Sequence, residues 1–253
     1  MKGDADLAAV AGLIGDRSRS RVLLALGDGR ALAASVLAHE AGVSASTISE
    51  HLGKLLEAGL LSVESHGRHR YYRLAGPEVA RLLENLAELS PVSPVTSLRQ
   101  GTQANALRSG RYCYDHLAGR LGVDVMRSLL DRGVLTGGDG HFDRAHAVRD
   151  RLSAAGHDLD YRLTADGERW VRSFGIDLDA LGARRRPLIR YCTDWTEQQH
   201  HLAGALGAAL AETMVQRGWI ERARSGRAVA LTPAGRRGLH EHLDIEIPLP
   251  IAA

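Results

Sequence analysis

Two cysteines sit in closely matched settings. Cys113 lies in Arg111-Tyr112-Cys113-Tyr114-Asp115-His116, and Cys192 in Arg190-Tyr191-Cys192-Thr193-Asp194-Trp195, with His200 and His201 a few positions on. Thiolate and imidazole together are ligands for soft metal ions, and a pair of thiolates can also respond to oxidants. Read as helix, Cys113 and His116 at i and i+3 share one face and could chelate. Tyr112, Tyr191 and Trp195 offer a different chemistry, an apolar pocket for an organic effector. Packing carries more weight than either: buried cysteine behaves as a small hydrophobe, and aromatics at such spacing usually fill cores. Neither cysteine has a second cysteine within helical reach, so the sequence assigns no metal and no cofactor. Catalysis by Cys113 and His116 would need a third, orienting group that one helical turn rarely supplies. The chain also holds no P-loop, GxGxxG, HExxH or paired CxxC. No enzyme is expected.

A second set of polar residues points to nucleic acid. Ser44, Ser46, Thr47, Ser49, His51 and Lys54 crowd one short segment, and Arg68, His69 and Arg70 follow it. Small hydroxyls near a helix N-terminus suit close approach to base edges or phosphates in a major groove. A basic hairpin tip beside them suits an adjacent groove or backbone. Arg184-Arg185-Arg186 is a further basic run, read mainly as solvated surface with phosphate contact as the alternative.

These residues need elements to hold them. Asp16 can cap a helix from Arg17 to Leu26, and a short helix over Ala33–Glu40 ends at Gly42. Ser44 precedes a longer helix, Ala45–Ala58, whose apolar stripe is Ile48, Leu52, Leu55 and Leu56. With that stripe inward, the hydroxyls and Lys54 fall outward. Leu61–Glu64 and Arg70–Leu74 read as strands around His66-Gly67-Arg68, and Pro77 suits the start of a helix to Leu89. Short helix, tight turn, longer helix and hairpin together make a winged helix-turn-helix.

The run Val43 to Leu60 followed by Gly67-Arg68-x-x-x-Tyr72, with Asp16 to Leu26 upstream, resembles the ArsR/SmtB family of winged helix-turn-helix repressors. That resemblance covers residues 4–90. It implies a homodimer bound to a palindromic double-stranded DNA operator, with Ala45–Ala58 as recognition helix and His66–Arg70 as wing. Two departures matter. Ala33–Glu40 has no cysteine and Pro77–Leu86 no histidine, so neither familiar metal site of that family is present.

The remainder contains an internal repeat. Arg-Tyr-Cys-x-Asp occurs at 111 and 190, and His-Leu-Ala-Gly-x-Leu-Gly at 116 and 201. Arg132-Gly133 answers Arg217-Gly218, and Leu163-Thr164 answers Leu231-Thr232. Each copy reads as two helices, an Arg-Gly bend, a strand or hairpin and a last helix. The expected fold is therefore mainly α with small β-hairpin wings: a winged helix-turn-helix over 1–90, a Pro/Ser linker over 91–100, and winged-helix-like copies over 101–183 and 184–253.

Composition sets the outer limits. Of 32 basic residues all but Lys2 and Lys54 are arginine, yet the net charge is only +2. DNA binding must thus come from local placement of charge. No run reaches the roughly 18 apolar residues of a membrane span, and the N-terminus lacks signal-peptide character. A cytoplasmic regulator with no membrane partner is expected, a repressor released by an effector sensed through the C-terminal copies. A metal- or thiol-responsive sensor using Cys113 and Cys192 is the alternative.

Overall fold

Three helices of the N-terminal unit begin where a side chain satisfies one of their first N–H groups. In this computed structural model, which describes residues 4–66, 69–91, 97–141, 159–183, 185–223 and 226–247, Asp6 accepts from the Ala9 N–H at the start of α1 (Leu7–Ile14). Asp16 accepts from the Arg19 N–H and opens α2 (Arg17–Ala25). After β1 (Leu32–Ala33) and α3 (Ala34–Ala41), Gly42 takes the left-handed conformation, φ 71°, that ends α3 without steric penalty. Ser44 then caps α4 (Ala45–Glu57), accepting from the Thr47 N–H at 3.2 Å.

Antiparallel strands β2 (Leu61–His66) and β3 (His69–Leu74) follow, with Leu61 opposite Leu74, and β1 pairs on the other edge of β3. Helix α5 (Pro77–Leu89) carries its proline at the first turn. Val22, Leu23, Leu26, Leu37, Ile48, Leu52, Leu55, Tyr72, Leu74 and Leu83 are buried. Each such aliphatic side chain contributes about 1.5–3 kcal/mol of hydrophobic stabilisation. Leu56, expected in the stripe, is only half-buried.

The chain divides into two compact units, residues 1–91 with 224–227 and residues 92–223 with 228–253. In the second, α6 (Leu98–Ser109) begins inside the segment read as linker, of which 92–96 lie outside the described residues.

The Arg-Tyr-Cys segments correct the sequence reading. They are strands and not helix starts. β4 (Arg111–Cys113) turns through Tyr114 and Asp115 into β5 (His116–Ala118), and α7 (Gly119–Asp131) follows. A two-residue turn makes i and i+3 direct cross-strand partners, so a spacing that suggested a helix face is that of a tight hairpin. The left-handed backbone of Tyr114, φ 63°, belongs to that turn.

Next come β6 (Leu135–Thr136) paired with β7 (Arg162–Leu163), α8 (Ala165–Ser173) and α9 (Leu178–Gly182). The same order then recurs: hairpin β8 (Arg190–Thr193) and β9 (His200–Ala203), α10 (Gly204–Gln216), hairpin β10 (Ile220–Arg222) and β11 (Val229–Leu231), and α11 (Pro233–Leu243). Thr164 and Thr232 cap α8 and α11 alike, each accepting an N–H two residues into the helix at 2.9 Å.

The packing is crosswise. α7 lies on β9, α10 lies on β5, and β5 runs beside β9. Gly122 and Gly207 make this possible: a Cβ on Gly122 would stand 2.4 Å from the Leu117 carbonyl oxygen, and one on Gly207 2.5 Å from that of Leu202. Tyr112, Leu121, Met126, Leu129, Leu206, Leu210 and Met214 fill one shared core.

Candidate nucleic-acid interface and a buried Cys-His cluster

Helix α4 separates its two faces cleanly. Ile48, Leu52 and Leu55 are at most 1% exposed, while Ser44, Ser46, Ser49, Glu50 and Lys54 are exposed and Thr47, His51 and Gly53 half-buried. The hydroxyls of Ser44, Ser46 and Thr47 form one linked group, with Ser44 Oγ 2.9 Å from both others. Ser49 is already committed, donating to the Ala45 carbonyl at 2.9 Å. Lys54 is paired with Glu50 at 2.6 Å, so a phosphate must compete for it. That lysine also holds the Glu50 carboxyl below its usual range, by hydrogen bond and by charge. His69 and Arg70 are exposed at the start of β3, and Arg68 lies outside the described residues.

In the second unit, strand alternation sorts the effector candidates onto opposite faces. Tyr112 and Tyr191 go to the core: the Arg222 guanidinium lies over the Tyr112 ring at 3.8 Å, and Tyr191 accepts from the Leu159 N–H at 3.4 Å. Trp195 lies in the turn after β8, beneath the Arg111 guanidinium at 4.8 Å. As adjacent strand residues, Tyr112 and Tyr191 point away from the faces that carry Cys113 and Cys192.

The cysteines and two histidines come together instead. Cys113 pairs with His116 across one hairpin and Cys192 with His201 across the other. The four potential ligand atoms lie within 4.8 Å of one another. Neither cysteine is in a disulfide. Cys192 Sγ is 3.7 Å from His116 Nε2, and the two imidazole centroids are 5.2 Å apart. His201 is 0% exposed, and among the described residues neither of its ring nitrogens makes a hydrogen bond. Its neighbour His200 faces away and bonds the Tyr161 hydroxyl through Nδ1 at 2.8 Å.

A carboxylate stands behind each imidazole. Asp115 Oδ1 lies 3.2 Å from His116 Nδ1, and Asp194 Oδ2 3.5 Å from His201 Nδ1. Burial disfavours the charged form of His116, but the Cys113 sulfur and the Asp115 carboxylate outweigh it and push its pKa up to about 9. Burial likewise opposes ionisation of Asp115, yet His116 and Arg186 draw it down to about 2. Arg186, from the basic run, is thus an ion-pair partner, while Arg184 lies outside the described residues.

Asp194 is pulled down further despite its burial. Arg111 donates to both its oxygens at 3.0 Å, the Gly119 N–H donates at 2.6 Å, and Thr196 donates through its hydroxyl and its N–H. His201 is not among the site residues expected from sequence. The repeat carried the signal, since His201 matches His116 in the His-Leu-Ala-Gly motif.

A capped helix with a hydroxyl-bearing outer face, set after a tight turn and before a β-hairpin, makes a winged helix-turn-helix, the DNA-binding domain of a transcriptional regulator. Residues 14–64 match the Helix-turn-helix domain family. Over 242 residues, 96% of this chain and 99% of the other, the sequence is 39% identical to the "Uncharacterized HTH-type transcriptional regulator YdfF" of Bacillus subtilis. The chain belongs to the same family of HTH-type transcriptional regulators.

CmtR of Mycobacterium tuberculosis, another HTH-type transcriptional regulator, is 35% identical over 83 residues, 33% of this chain and 70% of that one. The homodimeric winged helix-turn-helix domain of Mb0332 from Mycobacterium bovis is 29% identical, covering 35% of this chain and 89% of that domain, with a TM-score of 0.31. No helix among the described residues is long and apolar enough to cross a membrane.

Proposed function

We propose that this regulator is a homodimeric repressor that binds a palindromic double-stranded DNA operator through α4 and is released by an effector sensed in residues 101–253. The two-faced character of α4 carries the reading: its inner residues are fully buried, and its N-terminal turn presents exposed hydroxyls where a recognition helix meets base edges. DNA-facing roles go to Ser44, Ser46, Thr47, Ser49, His51 and Lys54, with Arg68, His69 and Arg70 on the wing. Dimerisation draws support from α1, an apolar helix with no buried residue, and from α5, where Leu86 is 37% and Leu89 83% exposed. Leu83 of α5, by contrast, is buried within its own unit.

A catalytic role finds no support. Cys113 and His116 are 2% and 4% exposed, which closes them to a substrate. Selection of duplexes from a random pool by the full-length protein tests the reading. A recovered dyad with half-sites about one helical turn apart, protected as a unit, is the expected result. Recovery of no common sequence would overturn it.

A further inference from the structure

We propose that Cys113, His116, Cys192 and His201 form a closed four-ligand site for a thiophilic divalent d10 ion, zinc(II) foremost. The inference does not depend on the DNA-binding reading. Ligands about 2.1 and 2.3 Å from a tetrahedral ion stand roughly 3.6 Å apart, and the separation between Cys192 Sγ and His116 Nε2 is 3.7 Å. All four donor atoms already lie within 4.8 Å of one another, so loading requires side-chain adjustment and no refolding.

His201 is the independent witness. A wholly buried imidazole with neither nitrogen hydrogen-bonded among the described residues is a costly arrangement that coordination would relieve. The carboxylates of Asp115 and Asp194 beside the two Nδ1 atoms are the outer partners that metal-bound histidines characteristically have.

Charge selects the ion. Loading displaces the protons held among Cys113, Cys192 and the imidazole of His116, and two thiolates with two neutral imidazoles then balance a divalent cation. A neutral centre suits a buried setting, whereas a monovalent ion in the same cage would leave a net negative charge. Two sulfurs and two nitrogens in tetrahedral array favour zinc(II) over hard ions such as magnesium. Four protein ligands leave no open position, so the ion clamps the two hairpins together and activates no water.

The test uses the full-length protein, purified under reducing conditions and stripped of metal. Titration with cobalt(II), then displacement by zinc(II), should show one ion per chain and the intense visible bands of tetrahedral thiolate coordination. The C113S/C192S double variant should lose that spectrum and the stoichiometric ion. Asp115→Asn should keep the stoichiometry while weakening zinc binding about 10–100-fold. Should the double variant fail to fold, the wild-type protein still decides: zinc should raise its melting temperature and a chelator should reverse the rise. A weak octahedral cobalt spectrum, zinc without effect on melting, or a Cys113–Cys192 disulfide in the freshly purified reduced protein would each overturn the proposal.

Discussion

The Cys192 sulfur lies 3.7 Å from Nε2 of His116, although 76 positions separate the two residues in the chain. Two hairpins of matching sequence bring them together, each ending in a helix that packs on the other hairpin. The same crossing places Gly122 against Leu117 and the His201 Cβ, and Gly207 against Leu202 and the His116 Cβ. The cluster therefore exists only while both hairpins are folded and docked, and substitutions that disturb the docking report on it.

Alanine at Gly122 or Gly207 should destabilise the protein by about 1–3 kcal/mol, because the new methyl meets backbone carbonyl that cannot retreat. Gly53 in α4 is the counterpart: nothing lies within 4 Å of an added Cβ there. Gly53→Ala should raise stability by about 0.5–1 kcal/mol through the helix backbone alone. Chemical denaturation of the three variants checks both signs.

Removing the Asp194 carboxylate should cost about 3–5 kcal/mol, since Arg111, itself 0% exposed, would keep a buried charge without its main partner. Asp179 pairs with Arg172 at the surface, and Asp179→Ala should leave the unfolding midpoint nearly unchanged. Equal effects of Asp194→Asn and Asp179→Ala on that midpoint would mean that the buried pair is not an anchor of the fold.

The N-terminal unit was legible because its signals are local. Ser44 before an apolar stripe, Gly42 in the turn and Pro77 opening α5 are each read within one or two helical turns, and the observed ends differ from the expected ones by a residue or so. Leu56 shows the limit, because which edge of an apolar stripe is covered depends on neighbours that periodicity does not name.

The C-terminal cluster was hidden for two reasons. A spacing of i to i+3 fits a helix face as well as a two-residue hairpin, and the helix reading left Cys113 without a second cysteine in reach. Choosing His201 over His200 also requires knowing the strand's facing, since adjacent strand residues point to opposite sides. Only the alignment of the repeat with itself distinguishes them.

Light scattering should show a dimer of the full chain at micromolar concentration, and Leu7→Glu together with Leu89→Glu should convert it to monomer. Both residues are strongly exposed, at 77% and 83%, so the pair should leave the melting temperature of the isolated unit's core little changed. A double variant that remains dimeric would move the interface away from α1 and α5.

Lys54→Ala should reduce the salt dependence of operator binding by about one unit while leaving sequence preference intact. Glu50→Gln should act in the opposite direction, strengthening binding to all duplexes, because it releases Lys54 from its ion pair at 2.6 Å. Fluorescence anisotropy over a salt series reads both effects.

We propose that the outer face of α4 reads the operator bases. The most direct test is a complete single-base substitution profile of the selected operator, measured for the wild-type protein and for Thr47→Ala. The wild-type profile should be symmetric about the dyad, and Thr47→Ala should flatten it at one base position in each half-site by about 1–3 kcal/mol, with the other positions unchanged. An identical profile for the two proteins, with only a uniform loss of affinity, would contradict the assignment of α4 as the recognition helix.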